Sequence, residues 1–271
     1  MSLALDLSGK VVCVVGAGSI GEGWGNGKAS AVAYARAGAS VVCVDYHLDR
    51  AEATRAIIED EGGRAITRRA DATSEADVQA CVDAAVAAWG RLDVMHNNVG
   101  VGGTSGGPDR IAPEQWDREI AQNLTTAYLG IRCAVPVMQR QGGGVITNIS
   151  SLMSTRFLRR PSVAYTASKA AVEALTRSCA AAYGRDDIRV NCIRIGFSET
   201  PLITLPLERA GLTPDQQETE MNKSRAKVPL RGEHGDAFDV ANAAVFLASD
   251  AAKYISGAIL NVDGALEAAP V

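Results

Sequence analysis

Short runs of β-branched and other apolar residues alternate along the chain with longer, alanine-rich stretches. Several of the short runs are apolar nearly throughout, which is typical of strands covered on both faces. Regular alternation of the two kinds predicts an α/β fold in which a parallel sheet is flanked by helices. The predicted strands are 10–15, 40–45, 64–69, 92–96, 144–150, 188–195 and 258–263, and the predicted helices are about 27–37, 49–61, 74–89, 113–139, 163–184 and 237–249.

One polar segment, residues 201–236, interrupts this alternation between the sixth strand and the last helix. It contains four prolines and no strand-like run. A long insertion at one edge of such a sheet is commonly a lid or a binding loop, which we favour over a solvated excursion. The sequence shows neither an internal repeat nor a low-complexity linker, so residues 1–271 are interpreted as one domain with a substrate-loop insertion at about 197–236.

The composition excludes several classes of function. The net charge is −4 and Lys and Arg are not clustered, so a nucleic-acid partner is not expected. No apolar run approaches the roughly 20 residues of a membrane span, and the N-terminus lacks a signal-peptide pattern, so we expect a cytoplasmic protein without a membrane partner. The six cysteines form no Cys-x-x-Cys pair and the three histidines are scattered, so we expect buried free thiols and no metal site.

The first strand-like run is followed by a glycine-rich segment, VVGAGSIGEGWGNGKA. Its residues from Gly16 to Gly21 match the pattern G-x-G-x-x-G, in which a tight turn and a helix N-terminus receive a pyrophosphate. A helix that began near Ser19 would enclose four glycines, each costing about 1 kcal/mol relative to alanine. This pattern therefore does not mark the start of the helix.

A helix that begins at Gly27 or Lys28 removes that cost, and Gly38 then provides a natural C-terminal cap. We therefore expect the strand to close at Gly16 and residues 17–24 to form an extended loop. A diphosphate is expected across this loop, against the helix N-terminus.

Asp45 ends the second predicted strand and bears on the choice of dinucleotide. A carboxylate at this position accepts both hydroxyls of an adenine ribose and repels a 2′-phosphate. The next residues, Tyr46 and His47, offer no guanidinium to such a phosphate. NAD is therefore the predicted cofactor in preference to NADP; the alternative interpretation is that Asp45 only forms a turn.

Tyr165 and Lys169 are four residues apart in a helical pattern, which places both side chains on one face. An ammonium near a phenol stabilises the phenolate and lowers the pKa of the tyrosine, making it a general acid or base. Upstream, Ser150 and Ser151 end the fifth predicted strand, at the carboxyl edge of the sheet where ligands bind in this architecture.

These motifs, taken in chain order, resemble those of the short-chain dehydrogenase/reductase family. The resemblance rests on Gly16, Gly25, Gly27, Asp71, the segment NNVG (97–100), Asn123, Ser151, Tyr165, Lys169, the segment IGFSETP (195–201) and the C-terminal segment FLASDAAKYISGAILNVDG (246–264). It implies a Rossmann-like, doubly wound parallel sheet with helices on both faces. It also implies a homo-oligomer, expected to be a tetramer that associates through the two long helices 113–139 and 163–184.

The resemblance implies a role for each of four side chains. Tyr165 would exchange a proton with the alcohol or ketone oxygen, and Ser151, preferred to Ser150 by family position alone, would hydrogen-bond to that oxygen. Lys169 would hold the nicotinamide ribose and lower the pKa of Tyr165. Asn123 would anchor a water molecule that links Lys169 to solvent.

The expected contacts to NAD and to the substrate follow the same motifs. The predicted NAD-binding residues are Gly16, Ser19, Ile20, Asn26, Gly27, Asp45, Tyr46, Asp71, Ala72, Asn98, Val99, Gly100, Tyr165, Lys169, Gly196, Phe197 and Thr200. The predicted substrate-binding residues are Ser151, Met153, Phe157, Tyr165, Phe197 and Leu202. One of Arg156, Arg159 and Arg160 is a candidate for steering an anionic substrate, against the alternative of a solvated loop or subunit interface.

The chain departs from the family pattern at three places: a lengthened glycine loop, Ile195 where proline is usual, and Val99 where alanine is common. A long glycine loop is similar to that of the enoyl reductases of the same superfamily, but those space their tyrosine and lysine further apart. The sequence therefore predicts an NAD-dependent oxidoreductase that interconverts a secondary alcohol, possibly a cyclic one, and its ketone. The alternatives are a 3-oxoacyl thioester reductase, which commonly uses NADPH, and a non-catalytic dinucleotide-binding sensor.

Overall fold

The computed structural model describes residues 5–157 and 161–269, and its centre is one parallel sheet. The strands are β1 (Val11–Val15), β2 (Ser40–Asp45), β3 (Arg64–Arg69), β4 (Val94–Asn97), β5 (Gly144–Ser151), β6 (Ile188–Ile195) and β7 (Ile259–Val262). They lie in the order β3-β2-β1-β4-β5-β6-β7. The chain therefore reverses its direction of winding between β1 and β4, the place where ligands bind in doubly wound sheets. The predicted parallel α/β fold is confirmed, and each strand lies within two residues of its predicted bounds.

Helices cover both faces of the sheet. They are α1 (Asn26–Arg36), α2 (Leu48–Asp60), α3 (Glu75–Trp89), α4 (Pro113–Ile120), α5 (Thr126–Gln141), α6 (Val163–Tyr183), α7 (Pro201–Arg209), α8 (Pro214–Arg225) and α9 (Ala237–Ala248). Helices α1, α2 and α9 share one apolar core with the sheet, and α3 and α5 share the other, with α6 packed beside them. None of the described helices is long and apolar enough to cross a membrane.

Strand β1 shows why the apolar runs form the centre of the sheet. All five of its residues are buried, with Val12 and Val14 in the core beneath α1 and α9. Val11, Cys13 and Val15 point to the opposite core. Burying a valine completely stabilises the fold by about 1.5–3 kcal/mol, so a strand without polar positions is stable only between two helical layers.

The ends of α3 follow from local chemistry. The Ser74 side chain accepts a hydrogen bond from the backbone N–H of Asp77 and caps the first turn. Gly90, with φ of 78°, ends the helix in the left-handed region that side chains other than glycine's rarely adopt.

The prediction of one helix over 113–139 is wrong. Helix α4 ends at Ile120, a π-helical turn follows over Ala121–Thr125, and α5 begins at Thr126. Such a turn carries one extra residue per turn and commonly lies at a functional site. Here it contains Asn123, one of the four predicted catalytic residues.

The insertion forms two helices, α7 and α8, that the sequence pattern did not predict. Its two ends meet, because Glu199 donates its backbone N–H to the Gly235 carbonyl (2.8 Å) and Gly235 donates to the Phe197 carbonyl (3.1 Å). The guanidinium of Arg225 on α8 donates to the Glu199 carboxylate (2.6 Å) at this base. The insertion is thus a closed excursion that leaves and re-enters the fold next to the carboxyl end of β6.

Candidate active site

Two adjoining cavities of about 450 and 520 Å³ open along the carboxyl edge of the sheet, on either side of β1 and β4. The first contains the ends of β5 and β6 and the N-terminus of α1; the second contains the ends of β2 and β3. The residues that line both are Gly18, Ser19, Ile20, Asn98 and Gly100. The arrangement is a single elongated cleft with the glycine loop at its middle.

The glycine loop has the predicted ends. Gly16 has φ of 87° and closes β1, and α1 begins at Asn26, one residue before the predicted start. A Cβ atom on Gly27 would overlap the carbonyl oxygen of Gly16, so the first turn of α1 can approach the strand end only with glycine there. The amide of Asn98 donates to the same carbonyl (2.9 Å) and fixes the turn from the β4 side.

Gly18 is also required, which the sequence analysis missed. A Cβ atom there would lie 2.6 Å from a carboxylate oxygen of Asp45 and 2.6 Å from Cβ of Arg50. The backbone N–H of Gly18 donates to the Asp45 carboxylate (3.1 Å). The first half of the glycine segment therefore contacts the β2 end, while its second half opens α1.

The remaining residues of the enlarged loop join two distant elements. Gly21 packs against Pro201 and Leu205 of α7, within 3.1–3.3 Å of the place where its own Cβ would be. The indole of Trp24 packs edge-on against Phe238 of α9, with ring centroids 4.8 Å apart. The extra length thus brings the loop into contact with the insertion.

The end of β2 offers a carboxylate and, beside it, a guanidinium. The second carboxylate oxygen of Asp45 accepts the backbone N–H of His47 (2.9 Å), so its orientation is fixed. Tyr46 is exposed and stacks with the guanidinium of Arg69. Arg50 lines the same cavity. The sequence analysis considered only Tyr46 and His47 and so missed this basic group.

Asp71 lies across this cavity from Asp45, with Ala72 beside it. One carboxylate oxygen of Asp71 accepts hydrogen bonds from the hydroxyl (2.6 Å) and the backbone N–H (2.9 Å) of Thr73. These hydrogen bonds lower the pKa of Asp71. No donor among residues 5–157 and 161–269 bonds to the other carboxylate oxygen, so this oxygen is available to a donor in the cavity.

Ser151, Tyr165 and Lys169 line the first cavity together. The hydroxyl of Ser151 accepts the backbone N–H of Met153 (3.2 Å), which orients it at the strand end. The ammonium of Lys169 donates to the Ile149 carbonyl (3.0 Å) and lies 5.7 Å from the centroid of the Tyr165 ring.

The structure distinguishes Ser151 from its neighbour. The hydroxyl of Ser150 is buried and bonds to the Glu173 carboxylate (2.9 Å) and the Lys169 carbonyl (3.1 Å). The hydroxyl hydrogen of Ser150 is therefore already donated to other protein groups. Ser151, in contrast, is half-buried beside the phenol of Tyr165.

Asn123 lies one layer behind these residues. It is buried in the π-helical turn, where its amide nitrogen donates to the Glu119 carbonyl (3.0 Å) and its oxygen accepts the N–H of Val101 (2.9 Å). A Cβ atom on Gly100 would lie 3.0 Å from Nζ of Lys169 and 3.5 Å from the Asn123 oxygen, so both groups are next to Gly100.

Burial dominates the acid–base properties of the site. It raises the pKa of Tyr165, and a hydrogen bond with the Ser151 side chain acts in the opposite direction. Burial also lowers the pKa of Lys169 to about 8. Desolvation of the phenolate is thus the largest effect on the pKa of Tyr165 here, and the expectation that Lys169 lowers this pKa stays a prediction.

The predicted apolar wall is present except for one residue. Met153, Phe197 and Leu202 line the first cavity, and Gly196 and Thr200 lie there as well. Phe157 does not belong to this wall: its side chain is 74% exposed and does not line the cavity.

Arg156 does not line the cavity that contains Ser151 and Tyr165. Its guanidinium donates to the backbone carbonyls of Glu267 (3.0 Å) and Ala269 (2.9 Å), which ties the segment after β5 to the C-terminal segment. The other two arginines considered for an anionic substrate, Arg159 and Arg160, lie outside the described residues.

The cleft contains a polar group that fits a dinucleotide. The hydroxyl of Ser19 is buried and has no hydrogen-bond partner within the described part of the chain. It lies on the glycine loop where both cavities meet, next to a helix N-terminus free of acidic residues. A phosphate oxygen satisfies such a donor, so the residues present fit a diphosphate at this point.

Comparison with known proteins agrees with this architecture. A family model described as enoyl-(acyl carrier protein) reductase matches residues 21–266. The 2,5-dichloro-2,5-cyclohexadiene-1,4-diol dehydrogenase of Sphingobium indicum is 36% identical over 262 residues, which are 97% of this chain and 98% of that protein.

Two solved structures are similar over nearly their full lengths. A Burkholderia xenovorans protein described as a short-chain dehydrogenase/reductase is 39% identical, with a TM-score of 0.92 and 98% of this chain and 99% of that chain covered. A 7α-hydroxysteroid dehydrogenase complexed with NADH and 7-oxo glycochenodeoxycholic acid is 34% identical, with a TM-score of 0.84 and 96% and 95% covered. The chain therefore belongs to the short-chain dehydrogenase/reductase family.

Proposed function

We propose that the protein is an NAD-dependent dehydrogenase that interconverts a cyclic secondary alcohol and its ketone. The observation that carries the proposal is the presence of Ser151, Tyr165 and Lys169 in one cavity that continues into the glycine loop. A sensor that only bound a dinucleotide would need the glycine loop but not the hydroxyls of Ser151 and Tyr165 together in the cavity.

The proposed chemistry divides the reaction between the cofactor and the chain. Bound in the cleft, the nicotinamide ring would exchange a hydride with the substrate carbon. In oxidation, Tyr165 takes the hydroxyl proton of the alcohol, and in reduction it returns a proton to the ketone oxygen. Ser151 donates a hydrogen bond to that oxygen and stabilises the negative charge that develops on it.

Burial of Tyr165 predicts how kcat changes with pH in each direction of the reaction. Because burial raises the pKa of the phenol, the phenol form that reduces a ketone prevails at neutral pH. The phenolate form that oxidises an alcohol increases as the pH rises. We therefore expect kcat for alcohol oxidation to rise above neutral pH while kcat for ketone reduction falls.

The remaining residues would hold NAD along the cleft. Asp45 would accept the adenine ribose hydroxyls and Asp71 the adenine amino group, with Ser19 and the α1 N-terminus at the diphosphate. The related hydroxysteroid dehydrogenase was solved with NADH, which supports the same class of cofactor here. The guanidinium of Arg50 lines the same cavity and would attract the 2′-phosphate of NADP. The preference for NAD over NADP is therefore to be measured directly.

The wall of the substrate cavity supports a cyclic, mainly apolar substrate. Met153, Phe197 and Leu202 contribute apolar surface beside Ser151 and Tyr165. The names of two relatives specify a cyclohexadiene diol and an oxo bile acid, both ring alcohols or ketones. Homotetramer formation and a cytoplasmic location remain predictions.

The test is a screen of cyclic and open-chain secondary alcohols and their ketones with NAD(H) and NADP(H), read at the nicotinamide absorbance. An enoyl thioester and a 3-oxoacyl thioester belong in the same screen as the competing substrate classes. We expect turnover of a ring alcohol with NAD, and loss of about 10²–10⁴-fold in kcat in Tyr165→Phe with the dissociation constant for NADH little changed. Binding of NADH without turnover of any of these compounds would favour the sensor instead.

A further inference from the structure

Behind the catalytic residues lies a buried carboxylate that the proposed reaction does not use. Glu173 is on α6, one turn after Lys169, and is only 4% exposed. Its carboxylate accepts two hydrogen bonds from the guanidinium of Arg194 (2.8 and 2.6 Å), one from the hydroxyl of Ser154 (2.6 Å) and one from that of Ser150 (2.9 Å). One side chain thus joins α6 to the ends of two neighbouring strands.

Each donor stands beside a residue of the proposed active site. Ser150 immediately precedes Ser151, and Ser154 immediately follows Met153 of the substrate wall. Arg194 comes two residues before Gly196, where the chain leaves β6 along the cavity. Moving the Glu173 carboxylate would therefore move the backbone that carries these groups.

The network continues into the C-terminal segment 263–269. The guanidinium of Arg194 lies 3.4 Å from the carboxylate of Glu267, which also accepts the hydroxyl of Thr155 (2.8 Å). The carbonyl of Glu267 accepts a hydrogen bond from Arg156 (3.0 Å). The segment after β5 is thus held from α6 on one side and from the C-terminal segment on the other.

Stability alone is a weak reason for such a cluster. Removing two charges from water costs most of what their attraction returns, and apolar residues of the same volume commonly give an equally stable protein. A planar guanidinium paired with a carboxylate instead fixes distances and directions. The Glu173–Arg194 pair therefore serves mainly to fix the relative positions of α6 and β6.

We propose that Glu173 is a positioning residue for the reaction. Its carboxylate, held by Arg194, fixes the end of β5 against α6, so that Ser151 and Tyr165 approach the same substrate oxygen. The inference rests on the proposed function, because it assigns Glu173 a part in that proton transfer.

The test compares Glu173→Gln with a matched variant at the opposite edge of the sheet. Asp93 is a similarly buried carboxylate (6% exposed) with two hydrogen bonds from Arg91 (2.8 and 2.6 Å), far from the cleft. We expect both Glu173→Gln and Asp93→Asn to lower the melting temperature. Only Glu173→Gln is expected to lower kcat per folded site, by about 10- to 100-fold as for a misplaced catalytic group, with the dissociation constant for NADH within twofold of wild type.

Arg194→Lys covers the case in which Glu173→Gln does not fold. It keeps the positive charge but loses the two-pronged contact, so kcat should fall in the same direction. Unchanged kcat in either folded variant, with only the melting temperature lowered, would overturn the inference.

A second measurement needs no turnover. With tyrosines labelled at Cζ and the Tyr165 signal assigned from Tyr165→Phe, an NMR titration follows the phenol in wild type and Glu173→Gln. Loss of the Ser151 contact should raise the pKa of Tyr165, and an identical titration in both proteins would contradict the inference. Absence of turnover in wild type would instead count against the proposed function alone.

Discussion

Ser150 and Ser151 are adjacent hydroxyls at the end of β5 whose surroundings give them different tasks. Successive side chains of a strand point to opposite faces, so one serine faces α6 and the other faces the cavity. Ser150 uses its hydroxyl on the Glu173 carboxylate and the Lys169 carbonyl, whereas Ser151 stays within reach of Tyr165. Their difference provides a matched pair of substitutions in one strand.

We expect Ser151→Ala to lower kcat by about 10²-fold or more, since it removes a donor to the developing oxyanion. Ser150→Ala should lower the free energy of unfolding by about 1–3 kcal/mol, because a buried hydrogen bond to a carboxylate is lost, with a much smaller effect on kcat. Steady-state kinetics and urea denaturation of both variants measure this. Equal losses of kcat would show that the assignment to Ser151 is wrong.

The sequence could predict that Tyr165 and Lys169 lie together at one cavity because their spacing is local. Tyr165 and Lys169 are four residues apart on α6, and an α-helix places residues at this spacing on the same face. The partner of Glu173 could not be predicted in this way, because Arg194 lies on a different element and meets it only after β6 pairs with β5. Phe157 is likewise exposed, next to Arg156, whose contact with the C-terminal segment joins residues 111 positions apart and leaves no signal in the local pattern.

At the scale of elements, the junction between β1 and α1 controls the dinucleotide site. The helix can begin beside the strand end only because Gly27 lacks a side chain and Gly16 adopts a positive φ. The cost of interior glycines was enough to locate this junction to within one residue. The contacts of Gly18 with Asp45 and of Gly21 with α7 were not predictable, since they depend on where β2 and the insertion lie.

Gly27→Ala should therefore weaken NADH binding by 100-fold or more, because the added methyl group pushes the α1 N-terminus away from the Gly16 carbonyl. Gly184→Ala is the control, since a Cβ atom there meets no neighbouring atom and its backbone is already right-handed helical. Fluorescence titration with NADH measures both. Similar dissociation constants for the two variants would contradict the proposed course of the diphosphate.

The π-helical turn shows the limit of pattern at this scale. Residues on both sides of Asn123 continue the helical periodicity, so the sequence predicts one helix where the structure has α4 and α5. The amide of Asn123 holds Val101 and the Glu119 carbonyl instead, and these contacts offset the disrupted ladder. The hydrogen bond with Val101 joins residues 22 positions apart, and the local helical pattern contains no sign of it.

At the scale of the whole molecule, the apolar strands that made the sheet predictable also bury the imidazole of His96 at the centre of the fold. His96 on β4 is fully buried, and its Nδ1 lies 3.1 Å from the Tyr34 hydroxyl of α1. Burial lowers the pKa of His96 to about 3. The histidine is thus neutral in the folded protein over the whole range in which an unfolded histidine takes up a proton.

This arrangement makes the fold sensitive to acid. The folded pKa of about 3 is below the unfolded value of about 6.5, so the unfolded state binds more protons as the pH falls, and the stability present above pH 6.5 is lost towards pH 3. Between pH 8 and pH 5 we expect this residue to reduce the free energy of unfolding by about 2 kcal/mol. Urea denaturation at a series of pH values, with wild type compared to His96→Gln, isolates the contribution because the carboxylates cancel in the difference. If wild type and His96→Gln lose the same stability over this range, the ring is already protonated or hydrated in the folded state, and the packing described around Tyr34 and β4 does not exclude water.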